Sequence, residues 1–340
     1  MNVQIVLFDG FDFMDVIGPY EVFMAAKMYS QEVTVEFVSA EGKRHVNSGM
    51  NGPGLPSSGK IDLEREGILV IPGVFASVND NGPNSFIALL KRAMETDLIH
   101  FLREALYRTD LIVSPVCGGT LILAMDGLLE GRHAVTHHMG MEFLGATGAI
   151  PVHARVVDDG NVVSGGGVTS GLDLALYLVE RELGPRIAHA IEQLFEYERR
   201  GTVWKAIGMA PIDSEDSHPE SISVLNESVV PTPGQANIEK NRMFDGKWNT
   251  IISTPIGKLP VILNITTEDG RIYGTAQQED EIVEFANPVL HNDQLEWSLS
   301  IRKPIRLNLK FSVIVTGSTM SGSAKAGLLP ASKLVGNRMY

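Results

Sequence analysis

The first two hundred residues alternate short apolar runs with longer segments in which apolar residues recur every three or four positions. This alternation predicts a parallel sheet whose strands are joined by crossover helices. The predicted strands are Val3–Phe8, Val33–Ser39, Gly67–Pro72, Asp110–Pro115, Val152–Val157 and Asn161–Ser164. The predicted helices are Pro19–Tyr29, Asp97–Tyr107, Gly119–Leu129, Leu172–Leu183 and Pro185–Arg199. We therefore expect an α/β domain over residues 1–205.

The pattern changes twice in the remaining residues. Residues 206–242 are rich in Ser, Glu, Asp, Pro and Asn, which predicts a linker. Residues 243–340 alternate apolar and polar positions between turns, which predicts an all-β domain.

A faint internal repeat runs through this β segment. Thr254–Ile256, Val261–Thr266 and Gly274–Ala276 parallel Lys303–Ile305, Leu309–Ile314 and Gly322–Ala324 at nearly constant spacing. Two similar halves would close their edges against each other as a small antiparallel barrel. The alternative is a coincidence of β-rich composition.

Charge and cysteine content exclude several classes of protein. The 340 residues include 28 basic and 41 acidic ones, a net charge of −13 with no basic patch, so we expect no nucleic-acid partner. The chain has one cysteine, which rules out an intramolecular disulfide and a multi-cysteine metal site and favours a reducing, cytoplasmic location. The first residues do not resemble a secretory signal, and no apolar run approaches the roughly 20 residues that span a bilayer, so we expect no membrane partner.

The lone cysteine stands where a strand runs directly into a helix. The apolar run before Cys117 is followed at once by Gly118, Gly119 and a helical pattern, the arrangement of a nucleophile elbow. The helix dipole and nearby N–H groups favour the thiolate, which predicts a reactive cysteine with a lowered pKa. The alternative is a buried, inert cysteine.

At this point the sequence resembles the PfpI-type branch of the class I glutamine amidotransferase-like superfamily, and within it the isonitrile (isocyanide) hydratases. The resemblance covers residues 1 to about 200. Its motifs, in matching order, are Asp15–Phe23, Val70–Gly73, Val116–Thr120, Gly127–Arg132 with Thr136-His137, Gly148–Val157 and Gly165–Asp173. The resemblance implies a flavodoxin-like fold, a homodimer and a small-molecule substrate, with no cofactor.

The resemblance also implies roles for particular residues. Cys117 is then the nucleophile, Asp15 is the acidic partner that shuttles the proton, and Gly73 and Gly118 supply backbone N–H groups to an oxyanion-type hole. Without the resemblance, Asp15 would be interpreted as a helix N-cap.

Two positions depart from the hydratase pattern, and both put the substrate in question. Gly118 stands where these hydratases carry threonine, so a hydroxyl near the sulfur is lost. His138 stands where they carry an aromatic residue.

Histidines open further alternatives. His137 is either a base for Cys117 or a structural residue. Metal binding is disfavoured because no carboxylate or second cysteine completes a ligand set with His133, His137 and His138. The region of the amidotransferase His-x-Glu pair is occupied by Val163–Gly167, which argues against glutamine amidotransfer.

These observations predict an enzyme that adds water to an isonitrile through a covalent thioimidate and releases an N-substituted formamide. Two alternatives stay open. One is a glyoxalase-like or other cysteine-dependent hydratase or lyase acting on a reactive carbonyl, which would need His137 as a base. The other is a ligand-binding protein without catalysis.

Overall fold

The computed structural model describes residues 1–76, 82–209, 242–254, 257–278, 281–291, 293–301, 307–326 and 331–339. The predicted linker therefore lies almost entirely outside the described residues. Within the described ranges no helix is long and apolar enough to cross a bilayer.

An eight-stranded sheet forms the centre of the N-terminal domain. Its order is β12-β10-β11-β7-β6-β1-β2-β5, with parallel pairing everywhere except between β10 and β11. Two short pairs, β3 with β4 and β8 with β9, lie outside it. The strands are β1 (Asn2–Val6), β2 (Thr34–Ser39), β3 (His45–Asn47), β4 (Gly54–Pro56), β5 (Gly59–Lys60), β6 (Gly67–Ile71), β7 (Leu111–Pro115), β8 (His133–Ala134), β9 (Ile150–Pro151), β10 (Val156–Asp159), β11 (Val162–Gly165) and β12 (Trp204–Lys205).

Seven helices accompany this sheet within the described residues. They are α1 (Phe13–Tyr29), α2 (Phe86–Met94), α3 (Leu98–Tyr107), α4 (Gly119–Met125), α5 (Met141–Ala146), α6 (Ser170–Leu183) and α7 (Pro185–Phe195). The predicted flavodoxin-like α/β architecture is thus confirmed. The central strands β6 and β7 are almost entirely buried, which is why they appear in the sequence as continuous apolar runs.

Helix boundaries differ most from the prediction in α1. The sequence predicts a start at Pro19, because proline lacks the N–H that helix interiors require and favours the first turn. The helix instead begins at Phe13, because the Asp12 carboxylate accepts a hydrogen bond from the Met14 N–H and caps it. The helices α2 and α5 were not predicted, and α4 and α7 end four residues earlier than expected.

The C-terminal domain is one nine-stranded antiparallel sheet. Its order is β16-β15-β14-β13-β21-β20-β19-β18-β17. The strands are β13 (Gly246–Thr254), β14 (Gly257–Glu268), β15 (Arg271–Gln278), β16 (Glu281–Glu284), β17 (Ala286–His291), β18 (Gln294–Ile301), β19 (Leu307–Thr316), β20 (Thr319–Ala326) and β21 (Ser332–Met339).

This sheet bends almost into a barrel. Its two outer strands, β16 and β17, are halves of one segment that is interrupted only at Phe285; β16 pairs with β15, and β17 pairs with β18. The segment therefore joins both ends of the sheet, which covers edges that would otherwise be exposed. Inside, the rings of Phe285, Trp297 and Phe311 stack with centroids 4.4 and 4.9 Å apart. The predicted barrel-like domain is confirmed.

The repeat seen in the sequence occupies equivalent places in the two halves of this sheet. In the β14–β15 hairpin, Ile265 lies opposite Gly274. In the β19–β20 hairpin, Val313 lies opposite Gly322 in the same way. The opening segments of the repeat, at 254–256 and 303–305, lie mostly outside the described residues. The matching register of the two hairpins supports duplication over coincidence.

Candidate active site

Cys117 occupies a strained turn between β7 and α4. Its φ is 54°, in the left-handed region that non-glycine residues rarely adopt. Gly119 makes the turn possible, because a Cβ at that position would lie 2.2 Å from the Ile71 carbonyl oxygen. The turn holds the Cys117 side chain at the carboxyl end of the parallel strands, as the predicted elbow requires.

Backbone hydrogen bonds from neighbouring segments hold the strained residue in place. The Cys117 N–H donates to the carbonyls of Gly165 and Gly166, at 2.9 and 3.0 Å. The Thr136 hydroxyl donates to the Cys117 carbonyl at 2.6 Å. Thr136 is buried, and the sequence motif that contains it assigns it no role of its own. Its hydroxyl stabilises the conformation of the elbow.

Asp15 lies in the first turn of α1 and is completely buried. Because Asp12 caps this helix, the capping role considered for Asp15 is excluded. The Gly73 N–H, after β6, donates to Asp15 Oδ2 at 2.9 Å. Asp15 Oδ1 accepts no hydrogen bond within the described part of the chain. A buried carboxyl with an unpartnered oxygen is costly unless it carries a proton or meets a ligand.

The Asp15 carboxyl and the Cys117 thiol perturb each other. Burial, and then the negative charge of Asp12, raise the pKa of Asp15 well above its ordinary value, whereas hydrogen bonds with the Gly73 N–H and the Cys117 side chain lower it by less. Burial, and then the Asp15 charge, raise the pKa of Cys117. The prediction of a lowered Cys117 pKa from its helix position is therefore wrong, because burial and a neighbouring carboxylate outweigh the backbone dipoles. The two groups cannot easily ionise together, so the pair retains a proton near neutral pH.

Two backbone N–H groups, those of Gly118 and Val168, stabilise negative charge on the sulfur. Gly118 was predicted as such a donor, whereas Val168, in the loop after β11, was missed. The expected oxyanion role of Gly73 needs correction, because its N–H is already engaged by Asp15. Gly73 instead positions the carboxyl: a Cβ there would lie 2.6 Å from the Gly118 nitrogen and 3.0 Å from Asp15 Oδ2. Only glycine allows the three residues to approach so closely.

The ring of Phe86 occupies the space beside Gly118. A Cβ on Gly118 would lie 3.2 and 3.3 Å from two Phe86 ring carbons. Phe86 begins α2, an element that the sequence analysis missed. The hydroxyl that the hydratase pattern places after the nucleophile is therefore replaced by an aromatic wall from another helix.

His137 lies beside the loop that contains Gly167 and Val168. Its ring packs against Gly167, where a Cβ would lie 2.5 Å from His137 Cδ2. Its Nδ1 accepts the Met139 N–H at 3.3 Å, and burial followed by the charge of His138 lowers its pKa. No hydrogen bond joins His137 to Cys117 among the described contacts. In the described ranges no group of three His, Cys, Asp or Glu side chains could hold a metal ion.

Residues 1–181 match the DJ-1/PfpI family, which is more than half of the chain. The chain belongs to the DJ-1/PfpI family. Among its curated relatives is the isonitrile hydratase of Pseudomonas putida, 45% identical over 85 residues, which are 25% of this chain and 37% of that enzyme. The HTH-type transcriptional regulator CdhR of Pseudomonas aeruginosa is 25% identical over 194 residues, 56% of this chain and 53% of the regulator.

Among solved structures, a ThiJ/PfpI family protein from Pseudomonas syringae is 25% identical, with a TM-score of 0.49; the match covers 59% of this chain and 76% of that protein. The chain thus spans about a third to a half of the two curated relatives above.

Proposed function

We propose that this DJ-1/PfpI protein is a cysteine-dependent hydratase that converts an isonitrile, R–N≡C, into an N-substituted formamide. The observation that carries the proposal is the buried pair of Cys117 and Asp15, which compete for a proton at the carboxyl edge of the sheet. The similarity of an 85-residue segment to an isonitrile hydratase supports the choice of substrate.

In the first step the Cys117 sulfur adds to the terminal carbon of the isonitrile, and the proton held by the pair passes through Asp15 to that carbon. The product is a thioimidate, R–N=CH–S–Cys117. The Gly118 and Val168 N–H groups stabilise the sulfur before it attacks and again when it leaves. The raised pKa of Asp15 suits a group that must donate a proton near neutral pH.

In the second step water adds to the thioimidate carbon, and Asp15 takes a proton from the water and passes it to the nitrogen. The tetrahedral intermediate R–NH–CH(OH)–S–Cys117 then collapses: its hydroxyl proton passes to Asp15, the carbon–sulfur bond breaks, and R–NH–CHO leaves. The Cys117–Asp15 pair thereby regains the proton that the first step used. Covalent catalysis thus divides one difficult hydration into two easier additions. Water and the isonitrile are the only reactants consumed, so the cycle needs no cofactor.

Purified protein incubated with cyclohexyl isocyanide tests the proposal. We expect the formamide to accumulate, detected by proton NMR, and Cys117→Ser to abolish its formation. Asp97→Asn, at a side chain that is 70% exposed, is the matched surface control for Asp15→Asn. An unchanged isonitrile signal with a folded wild-type protein would refute the proposed reaction.

The alternative reaction, on a reactive carbonyl, differs from isonitrile hydration because it needs His137 as a base. Isonitrile hydration needs no histidine base, so His137→Ala should retain most of the hydratase rate, whereas a His137-dependent lyase would lose it.

A homodimer, a cytoplasmic location and the lack of a nucleic-acid partner remain our predictions. Sedimentation of the purified chain and a DNA-binding titration test the first and the last of these.

A further inference from the structure

A cavity of about 470 Å³ opens next to the Cys117 elbow. Two of the segments that line it also contact the cysteine. Thr136 donates its hydroxyl to the Cys117 carbonyl, and the N–H of Val168 reaches the sulfur. A substrate whose carbon meets Cys117 could therefore place its remaining atoms in this cavity.

Among the described residues, the walls of the cavity carry basic side chains and no acidic ones. The basic residues that line it are His137, His138, His153 and Arg155; the other lining residues are apolar, hydroxyl-bearing or glycine. The Arg155 guanidinium is paired with Asp173, which is itself buried and does not line the cavity. In a chain with a net charge of −13, such a concentration of basic groups without carboxylates stands out.

The histidines have unused hydrogen-bonding capacity. The side chains of His138 and His153 make no hydrogen bond or ion pair within the described part of the chain, and both residues are exposed at the rim. The rings of His137 and His138 lie 4.3 Å apart. Because His137 Nδ1 accepts the Met139 N–H, its Nε2 carries a hydrogen and can donate to a ligand. An anionic group in the cavity would accept hydrogen bonds from this donor and from the histidine N–H groups at the rim.

We infer that this cavity binds the carboxylate end of the substrate, so that the preferred substrates are isonitriles with an acidic tail. His138 and His153 then act as specificity-determining residues at the rim, and His137 lies deeper. This inference rests on the proposed function, because it assigns a substrate class to the same site.

The test compares 3-isocyanopropanoate with its methyl ester at pH 6.5, near the ordinary pKa of histidine. We expect kcat/KM for the acid to exceed that for the ester by about two- to fivefold, the range that partly exposed ion pairs supply. The double variant His138→Gln/His153→Gln should bring the ratio close to one. His100→Gln, at a side chain that is 76% exposed on α3, is the matched control and should keep the wild-type ratio.

A second measurement does not depend on turnover. Cys117 is the only cysteine, so the rates of its alkylation by iodoacetate and iodoacetamide can be followed by intact mass. Relative to a small free thiol, the wild type should favour iodoacetate, and the double variant should lose that preference. Equal rates for both substrates and no alkylation preference would overturn the inference while leaving the hydratase intact. Turnover of neither isonitrile, with a clear alkylation preference, would refute the hydratase and retain the anion site.

Discussion

Replacing Asp15 with asparagine separates two roles that the carboxyl plays beside Cys117. In Asp15→Asn the new amide oxygen can still accept the Gly73 N–H, and the amide nitrogen would replace Oδ1, which accepts no hydrogen bond within the described residues. The substitution therefore keeps the Gly73 contact and alters the hydrogen bond between the carboxyl and the Cys117 side chain. It removes the proposed proton donor and the negative charge.

The two losses act in opposite directions. Without a proton donor, we expect kcat/KM for isonitrile hydration to fall by about 10²- to 10⁴-fold, an increase of about 3 to 5 kcal/mol in the activation free energy. Without the carboxylate, one cause of the raised pKa of Cys117 disappears, so the thiolate fraction at neutral pH should rise. The variant should thus be alkylated faster and turn over more slowly than the wild type.

Both rates can be measured on the same preparations between pH 6 and 9, with iodoacetamide labelling followed by mass and formamide production by NMR. Asp97→Asn should match the wild type in both assays, since its side chain is mostly exposed. Slower alkylation of Asp15→Asn would refute the electrostatic reasoning. A nearly normal hydration rate would show that the proton comes from another group.

Three further predictions concern the surroundings of this pair. Gly118→Thr forces a side chain against the Phe86 ring and should lower the free energy of unfolding by about 1 to 3 kcal/mol in urea titrations. Adding Phe86→Ala should recover part of that loss; an unchanged loss in the double variant would contradict the contact. Because folding raises the pKa of Asp15, the folded wild type binds this proton more tightly than the unfolded chain. Its free energy of unfolding should therefore be highest below the ordinary carboxyl pKa and fall as the pH rises above it, by at most about 1.4 kcal/mol per pH unit. The urea midpoints of wild type and Asp15→Asn should converge at low pH, and midpoints that run parallel across the pH range would refute this. Thr136→Val removes the hydrogen bond to the carbonyl of the strained Cys117. It should lower the free energy of unfolding by about 1 to 2 kcal/mol and also reduce the hydration rate. Thr34→Val, at an exposed hydroxyl, is its control.

The order of strands and helices could be predicted from the residue pattern because each element carries its own local signal. Buried parallel strands appear as continuous apolar runs, as in β6 and β7, and the β segment alternates because one face of each strand is buried. The elbow at Cys117 was also visible, since the strand, the two glycines and the helix are adjacent in the chain. The prediction overlooked α2, although Ser85 caps it and its residues follow an amphipathic pattern; its first residue, Phe86, forms a wall of the site.

The composition of the site itself was decided by tertiary contacts. Residues from one helix and from the loops after three strands converge there: Asp15, Gly73, Cys117 and Val168 lie far apart in sequence. No local pattern marks Val168 as a donor to the sulfur. Nor could the sequence show that the Gly73 N–H is used by Asp15.

Protonation depended most on the folded structure. Helix position alone predicted a lowered pKa for Cys117, and the fold reversed the direction by burying the thiol beside a buried carboxyl. A dipole at a helix end follows from the local sequence, whereas the desolvation of a group depends on every segment that packs around it. The sequence could therefore name Cys117 and Asp15 as candidates, and only the tertiary structure showed that both are buried together with raised pKa values.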